Sequence, residues 1–267
     1  MISSSRWGKI ALAVWTALLM LFLFFPIVII CLYAFNESNV QSWPIPGLTT
    51  KWFSPAIHNP DMQAALWLSL KAAALATAVA LVLGTMASFG VHRFRFFGRE
   101  AISFLLVLPI ALPGIITGMA LNSYFTYWKL NFGLLTIVIG HATFCVVVVY
   151  NNVIARLRRV PGSLTEASMD LGADGLQTFR HVIFPTISTA LISGGLLAFA
   201  LSFDEVIVTT FTAGAQNTLP IWIFGQIRLG QQLPQVNVVV FLVLLATIIP
   251  VALAQRLTSE SGILRTE

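Results

Sequence analysis

Long apolar stretches separated by short polar segments dominate this chain, and each stretch is too long for a strand or an ordinary core helix. The first runs from about Ile10 to Tyr33 and the second from Ala72 to Phe89, with Lys71 at its edge, where an ammonium can snorkel to the interface. A third, Ala101 to Tyr124, contains Pro109, Pro113 and Gly114, which interrupt helical hydrogen bonding and predict a kink. Leu134 to Ile154, Ile187 to Phe211 and Val236 to Leu253 complete the series. A backbone in hydrocarbon must satisfy its own hydrogen bonds, and ~20 apolar residues in a helix cross the bilayer. The pattern therefore predicts an all-α membrane protein of about six transmembrane helices, organised as a single transmembrane domain over residues 1–267.

Composition agrees with this reading. Charged residues make up 9% of the 267 and apolar ones 57%, with a mean hydropathy of +0.87, too little charge to cover a water-facing surface. The net charge of +5 does not suggest nucleic acid, because the basic residues lie in loops between spans rather than on one amphipathic face. Cys31 and Cys145 stand singly inside apolar runs and behave as small hydrophobes, so neither a disulfide nor a metal site is expected. His141, inside the fourth span, reads as a hydrogen-bonded structural residue rather than a ligand. Arg6 and Lys9 before an apolar run imitate a secretion signal, but the run from Ile10 to Phe35 exceeds the ~7 to 15 residues of a signal core and predicts a retained first span.

Orientation follows from the basic residues, which accumulate on the cytoplasmic side. With the N-terminus inside, Arg6, Lys9, Arg93, Arg95, Arg99, Arg156, Arg158, Arg159, Arg180, Arg256 and Arg265 fall on the inner side, against Lys51, Lys71, Lys129 and Arg228 outside. Eleven of fifteen basic residues on one side place both termini in the cytoplasm. Outside, Trp43, Trp52, Phe53 and Trp67 read better as interfacial anchors, although a receptor-docking surface could use the same residues. The segment from Ala213 to Asn237, with Gln216, Asn217, Trp222 and Gln226, is polar and aromatic and reads as an interfacial, re-entrant or docking segment on the same side.

The inner loop between spans four and five, residues 158–185, has structure of its own. Ser163 and Glu166 have the spacing of a capping box, which predicts a helix start. Leu164, Ala167 and Leu171 then share one apolar face while Glu166 and Asp170 occupy another, and Gly172 is placed to end the helix in a left-handed conformation. A second amphipathic piece with Phe179, Val182 and Ile183 is expected to run to Pro185. Such a helix fits a groove on a soluble partner, and fits a bilayer surface equally well.

Glu166-Ala167-Ser168, Gly172 and Ile183-Phe184-Pro185 resemble the coupling (EAA) loop of permease subunits of ATP-binding-cassette importers, with Ser168 in place of the second alanine. The number of spans, the loop's position and the segment Ser202-Phe203-Asp204-Glu205 resemble the polyamine branch of that family over nearly the whole chain. The resemblance implies an importer permease of the bacterial inner membrane, with coupling to a cytoplasmic ATPase dimer at Glu166, Ala167 and Gly172 and at Ser168 and Asp170 between them. It further implies a second permease subunit, giving a heterodimeric core, and an extracytoplasmic solute-binding protein. The chain has no Gly-x-x-x-x-Gly-Lys-[Ser/Thr] loop, so ATP and Mg belong to the partner subunits and no catalytic residue or cofactor is assigned here.

Asp204 and Glu205 interrupt the fifth apolar run, at ~2.5 to 3.5 kcal/mol each near a bilayer centre. On an unbroken helix Ser202, Glu205, Thr209 and Thr212 form one polar stripe and Asp204 falls among Leu201, Ile207, Val208 and Phe211, so Glu205 is the expected pathway-facing acid. Asp204 is then free to meet a partner subunit or a broken helix end. Both carboxylates suit guidance of a cation such as putrescine or spermidine, and also suit structural hydrogen bonding. The third span offers Leu112-Pro113-Gly114 where a further acid would enrich a cationic site, leaving iron, thiamine or another small solute as alternatives. An intramembrane enzyme would need a nucleophile with a base, or paired acids, together with His141; no such constellation is legible. An ion-driven transporter would be expected to show inverted repeats, and spans one to three do not resemble four to six.

Overall fold

The computed structural model describes residues 6–94 and 97–263, with side chains as far as residue 248. Of the basic residues used for orientation, the side chains of Arg95, Arg256 and Arg265 lie outside the described residues, as do those of 249–253 at the end of the sixth expected span. The described chain is helical and divides into two compact units. One comprises the residues up to Met62 together with Ile223–Ser259, and the other is centred on Gln63–Trp222.

The first unit begins with α1 (Arg6–Tyr33), in which no residue is buried and which is apolar around its whole circumference. Such a helix is stable only in hydrocarbon or against other apolar helices. Beyond it, Asn36 folds the loop that follows α1. It is buried, its Nδ2 donates to Val40 O at 3.1 Å, its Oδ1 accepts from Ser38 N–H at 3.1 Å, and its carbonyl accepts from Trp52 Nε1 at 2.9 Å. Phe35, Phe53 of the short α2 (Phe53–Ile57) and Phe241 of the helix Leu233–Ile263 form an aromatic cluster with centroids 5.2 to 6.1 Å apart. Asn59 closes the loop: its Oδ1 accepts the N–H groups of Asp61 and Met62 at the start of α3 (Pro60–Arg93), and its Nδ2 donates to Gln232 at 3.0 Å.

In the second unit α3, α6 (Leu134–Leu157) and α9 (Phe184–Phe203) carry the core, in which Ala80, Cys145, Val149, Val153, Ile187 and Ala198 are fully buried. Apolar burial alone does not drive helices together in lipid, so close contact between backbones matters more. Gly84 provides it: a Cβ there would lie 2.9 Å from both Val146 O and Val149 Cβ. One turn on, Ser88 reinforces this close contact, its hydroxyl lying 2.7 Å from Gly84 O and 3.1 Å from Tyr150 O.

By length and apolarity Arg6–Tyr33, Pro60–Arg93, Leu134–Leu157 and Gly175–Phe203 can each cross a membrane. The third expected span is two helices, α4 (Arg99–Ala111) and α5 (Gly114–Tyr127), bent by 102° at Leu112 and Pro113. The bend is far larger than a proline kink. Pro109 and Pro113 each withhold an N–H, and Leu112 is extended (ψ 141°), so the chain leaves the helix rather than tilting within it. The sixth stretch appears as the apolar helix Leu233–Ile248 among residues with described side chains. The fifth is broken too: α9 stops at Phe203 and the short α10 (Ile207–Thr212) begins beyond Val206.

The loop of residues 158–185 corrects two expectations. The helix α7 (Gly162–Asp170) starts directly after Pro161, and no side-chain cap forms, so Ser163 and Glu166 do not make a capping box. Pro161 is the reason: it is extended (ψ 134°) and its carbonyl accepts the Leu164 N–H, which places Ser163 inside the first turn instead of before it. The capping box is found one step later, where Asp174 Oδ1 accepts Gln177 N–H at 2.8 Å and Gln177 Oε1 accepts Asp174 N–H at 2.9 Å at the start of α8 (Gly175–Thr178). The second piece does not stop at Pro185. It continues through a π turn, Phe179–Ile183, into α9, because the wider turn accommodates a proline that cannot donate to the preceding turn.

Candidate pathway and coupling site

The short helix beyond the break in span five, α10, is held at both ends by side chains. Glu205 Oε1 accepts the Val208 N–H at 2.9 Å and so serves an orphan donor at the start of α10. At the other end Asn122 Nδ2 donates to Phe211 O at 2.7 Å and Thr136 Oγ1 donates to Thr212 O at 2.7 Å. A helix of this length does not stand alone, and these bonds from α5 and α6 supply what its own backbone lacks. Packing adds to them: Gly118 of α5 leaves room for Phe211, since a Cβ there would lie 2.6 Å from the ring, and Gly114 stands beside Ile207. The breaks in spans three and five therefore lie against each other.

This geometry decides which acid is free. Ser202 and Thr209, expected in a pathway stripe with Glu205, are buried against α6, where His141 Nδ1 lies 2.7 Å from Ser202 Oγ and Nε2 lies 2.8 Å from Thr209 Oγ1. Thr212 of the same stripe is fully buried. Glu205 is half-buried and engaged with α10, whereas Asp204 is exposed and its carboxylate has no hydrogen bond or ion pair among the described residues. The stripe was reckoned on a continuous helix. The interruption at Asp204–Val206 turns the polar face toward His141 and leaves Asp204 at the open end of α9.

His141 is buried at 1% exposure, and sequence reading gave it only an unspecified structural role. Its partners are 61 and 68 residues away, beyond any local spacing rule. The available signal was a lone imidazole in one apolar span and a hydroxyl stripe in another, each needing partners in a dry environment. Among the described residues no group of three His, Cys, Asp or Glu side chains could hold a metal ion.

In the loop between spans four and five, α7 ends as its glycine predicts. Gly172 has φ +88°, Ala173 N–H donates to Ser168 O at 3.1 Å and Gly172 N–H to Met169 O at 2.9 Å, the paired bonds of a Schellman motif. Ser168 faces back into the protein, its hydroxyl 3.1 Å from that of buried Thr178. The neighbouring Phe179 ring meets Phe89 of α3 edge-on at 5.5 Å. Opposite this attachment Glu166, Ala167 and Asp170 are exposed, as are Leu164, Met169, Leu171 and Leu176, with Leu171 at 90%. A short helix closed at its C-terminal end thus hangs from the foot of span five with an apolar and acidic face uncovered.

Residues 80–259 match the family model for the binding-protein-dependent transport system inner membrane component. The chain belongs to this family. It is accordingly a permease component of a transport system in the inner membrane rather than an enzyme, and membership implies an ATPase, a binding protein and a partner permease. The permease is 37% identical over 232 residues to the putrescine transport system permease protein PotI of Escherichia coli (strain K12), covering 84% of this chain and 82% of that one. It is 28% identical over 243 residues to the spermidine/putrescine transport system permease protein PotC of Haemophilus influenzae, covering 90% and 93%. In fold it is similar to a chain in the crystal structure of a bacterial ABC transporter involved in the import of the acidic polysaccharide alginate, with a TM-score of 0.73 at 16% identity over 96% of this chain and 98% of that one.

Proposed function

We propose that this permease forms the translocation pathway of an ATP-binding-cassette importer for a small organic cation, a polyamine such as putrescine or spermidine. The observation that carries the reading is the exposed, unpartnered Asp204 carboxylate at the break in span five. A charge in an apolar span costs ~2.5 to 3.5 kcal/mol, and a passing ammonium group offsets that cost by neutralising it. The alginate importer shares the fold while its cargo is acidic, so architecture does not set the sign of the cargo. The local charge does, and here it is negative. The likeness to PotI supports the same choice.

On this reading Asp204 meets the substrate, Glu205 maintains the start of α10 beside it, and Ser202 and Thr209 support the pathway from behind through His141. The uncovered face of α7, with Glu166, Ala167, Asp170 and the Ser168–Gly172 end, seats in a cytoplasmic ATPase dimer that binds ATP and Mg. Movement of α7 reaches span five through Ser168 and Thr178 and span two through Phe179 and Phe89. A second, different permease chain covers exposed apolar helices such as α1, a solute-binding protein docks outside, and both termini lie in the cytoplasm. Cells lacking polyamine uptake, given this permease with its natural partners, are expected to accumulate radiolabelled putrescine, with unlabelled spermidine competing and sulfate not. Competition by an anion and none by a polyamine would overturn the assignment.

A further inference from the structure

We propose that His141 is a positioning residue for transport, stapling the two halves of span five across the break so that Asp204 stands at a fixed place in the pathway. The inference rests on the reading of Asp204 as the acid that meets the cation. Ser202 belongs to the last turn of α9 and Thr209 to the first turns of α10, and the unwound Asp204–Val206 lies between them. His141, from α6, has one ring nitrogen within 2.7 Å of the first and the other within 2.8 Å of the second. Seven residues of straight helix rise ~10.5 Å, so one imidazole lying between these two hydroxyls, a nitrogen on each, tethers the segment across its interruption.

The direction of each bond follows from proton counting. Thr209 Oγ1 lies 2.6 Å from the Glu205 carbonyl, which can only accept, so the Thr209 proton is committed there. The bond at 2.8 Å therefore runs from His141 Nε2–H to Thr209 Oγ1. Nδ1, bare in the neutral ring, accepts the Ser202 hydroxyl proton. The chain Ser202, His141, Thr209, Glu205 carbonyl is thus a directed relay ending on the backbone of the residue next to Asp204, and Glu205 Oε1 holds Val208 N–H on the same turn. No group in the relay touches the pathway; all of its effect passes through where the break places Asp204. Fully buried Thr209 and nearly buried His141 have no water to replace the bonds if either partner is lost.

The test is a double-mutant cycle on kcat/KM for radiolabelled putrescine, with the intact importer in proteoliposomes. His141→Leu and Asp204→Asn are each expected to lower it about tenfold or more, and together scarcely more than Asp204→Asn alone, within about twofold. His141→Gln, which can donate at one end of its amide and accept at the other, is expected to restore most of the loss. Nitrogen NMR of the histidine-labelled importer, assigned by difference with His141→Gln, is expected to show the proton on Nε2. Multiplied losses in the double variant, with Asp204→Asn itself impaired, would overturn the staple and leave the pathway reading standing. A silent Asp204→Asn would sink the pathway reading and the staple with it. Should His141→Leu fail to assemble with its partners, Ser202→Ala takes its place in the cycle, and independent losses there, or a proton on Nδ1, overturn the proposal.

Discussion

Gly172→Val is expected to leave the permease inserted and assembled at native levels while uptake falls below about a tenth of normal. Gly172 has φ +88°, and nothing lies within 4 Å of a Cβ placed there, so the effect is conformational and not steric. A β-branched residue in the left-handed region costs ~1 to 3 kcal/mol, enough to favour a different ending for α7. That ending holds the bonds from Ala173 to Ser168 and from Gly172 to Met169, which set the angle at which α7 leaves the membrane helices. A coupling helix that can pivot there dissipates the motion it should transmit. Gly172→Asn, which tolerates the same backbone, is expected to keep most of the transport. Membrane quantity, uptake and ATP hydrolysis measured together separate the cases, and normal uptake with normal coupled hydrolysis in the valine variant would remove α7 from the mechanism.

Asp204→Asn is the second large effect. A hydrogen bond to a charged group contributes ~1.5 to 3 kcal/mol, and each ~1.4 kcal/mol is tenfold, so kcat/KM for putrescine is expected to fall about 10- to 100-fold. The change is close to isosteric and the side chain is exposed, so assembly should be unaffected. Glu205→Gln keeps an oxygen to accept the Val208 N–H and is expected to cost less, about threefold to tenfold, because it alters α10 and not the charge that the cation meets. Uptake rates over a range of putrescine concentrations check the order of the two. A larger loss for Glu205→Gln than for Asp204→Asn would return the pathway role to the glutamate.

The proposed exchange of roles between the two acids illustrates what the amino-acid pattern could and could not reveal. The apolar runs were legible because hydrocarbon imposes a minimum length and forbids unpaired backbone, and Gly172 was legible because few residues end a helix with positive φ. Pro113 announced an interruption, but the 102° bend depends on how α5 packs against α10, through Gly114 and Gly118, which local sequence does not encode. The break at Asp204–Val206 contains neither glycine nor proline. The groups around it are met by residues distant in sequence: His141 of α6 lies between Ser202 and Thr209 on its two sides, and an amide from α5 and a hydroxyl from α6 bind the Phe211 and Thr212 carbonyls at the far end of α10. Helical periodicity was carried across that break, so the stripe it gave does not describe two acids that both lie beyond the last residue of α9. The Ser163–Glu166 spacing misled for a local reason, since Pro161 began the helix first.

Ser168 gains a meaning that its sequence context did not suggest. Read as one small residue in place of another, it instead offers a hydroxyl to Thr178 at the foot of span five, a contact that alanine could not make. The helix proposed to contact the ATPase is therefore attached to the membrane helices by a polar bond as well as by the turn at Gly172.

ATP-dependent accumulation of radiolabelled putrescine, in proteoliposomes holding this permease with its partner permease, ATPase and binding protein, tests the central claim most directly. The account predicts accumulation against a gradient that requires ATP and persists when ion gradients are collapsed. Accumulation that continues without ATP and follows an imposed ion gradient would contradict it.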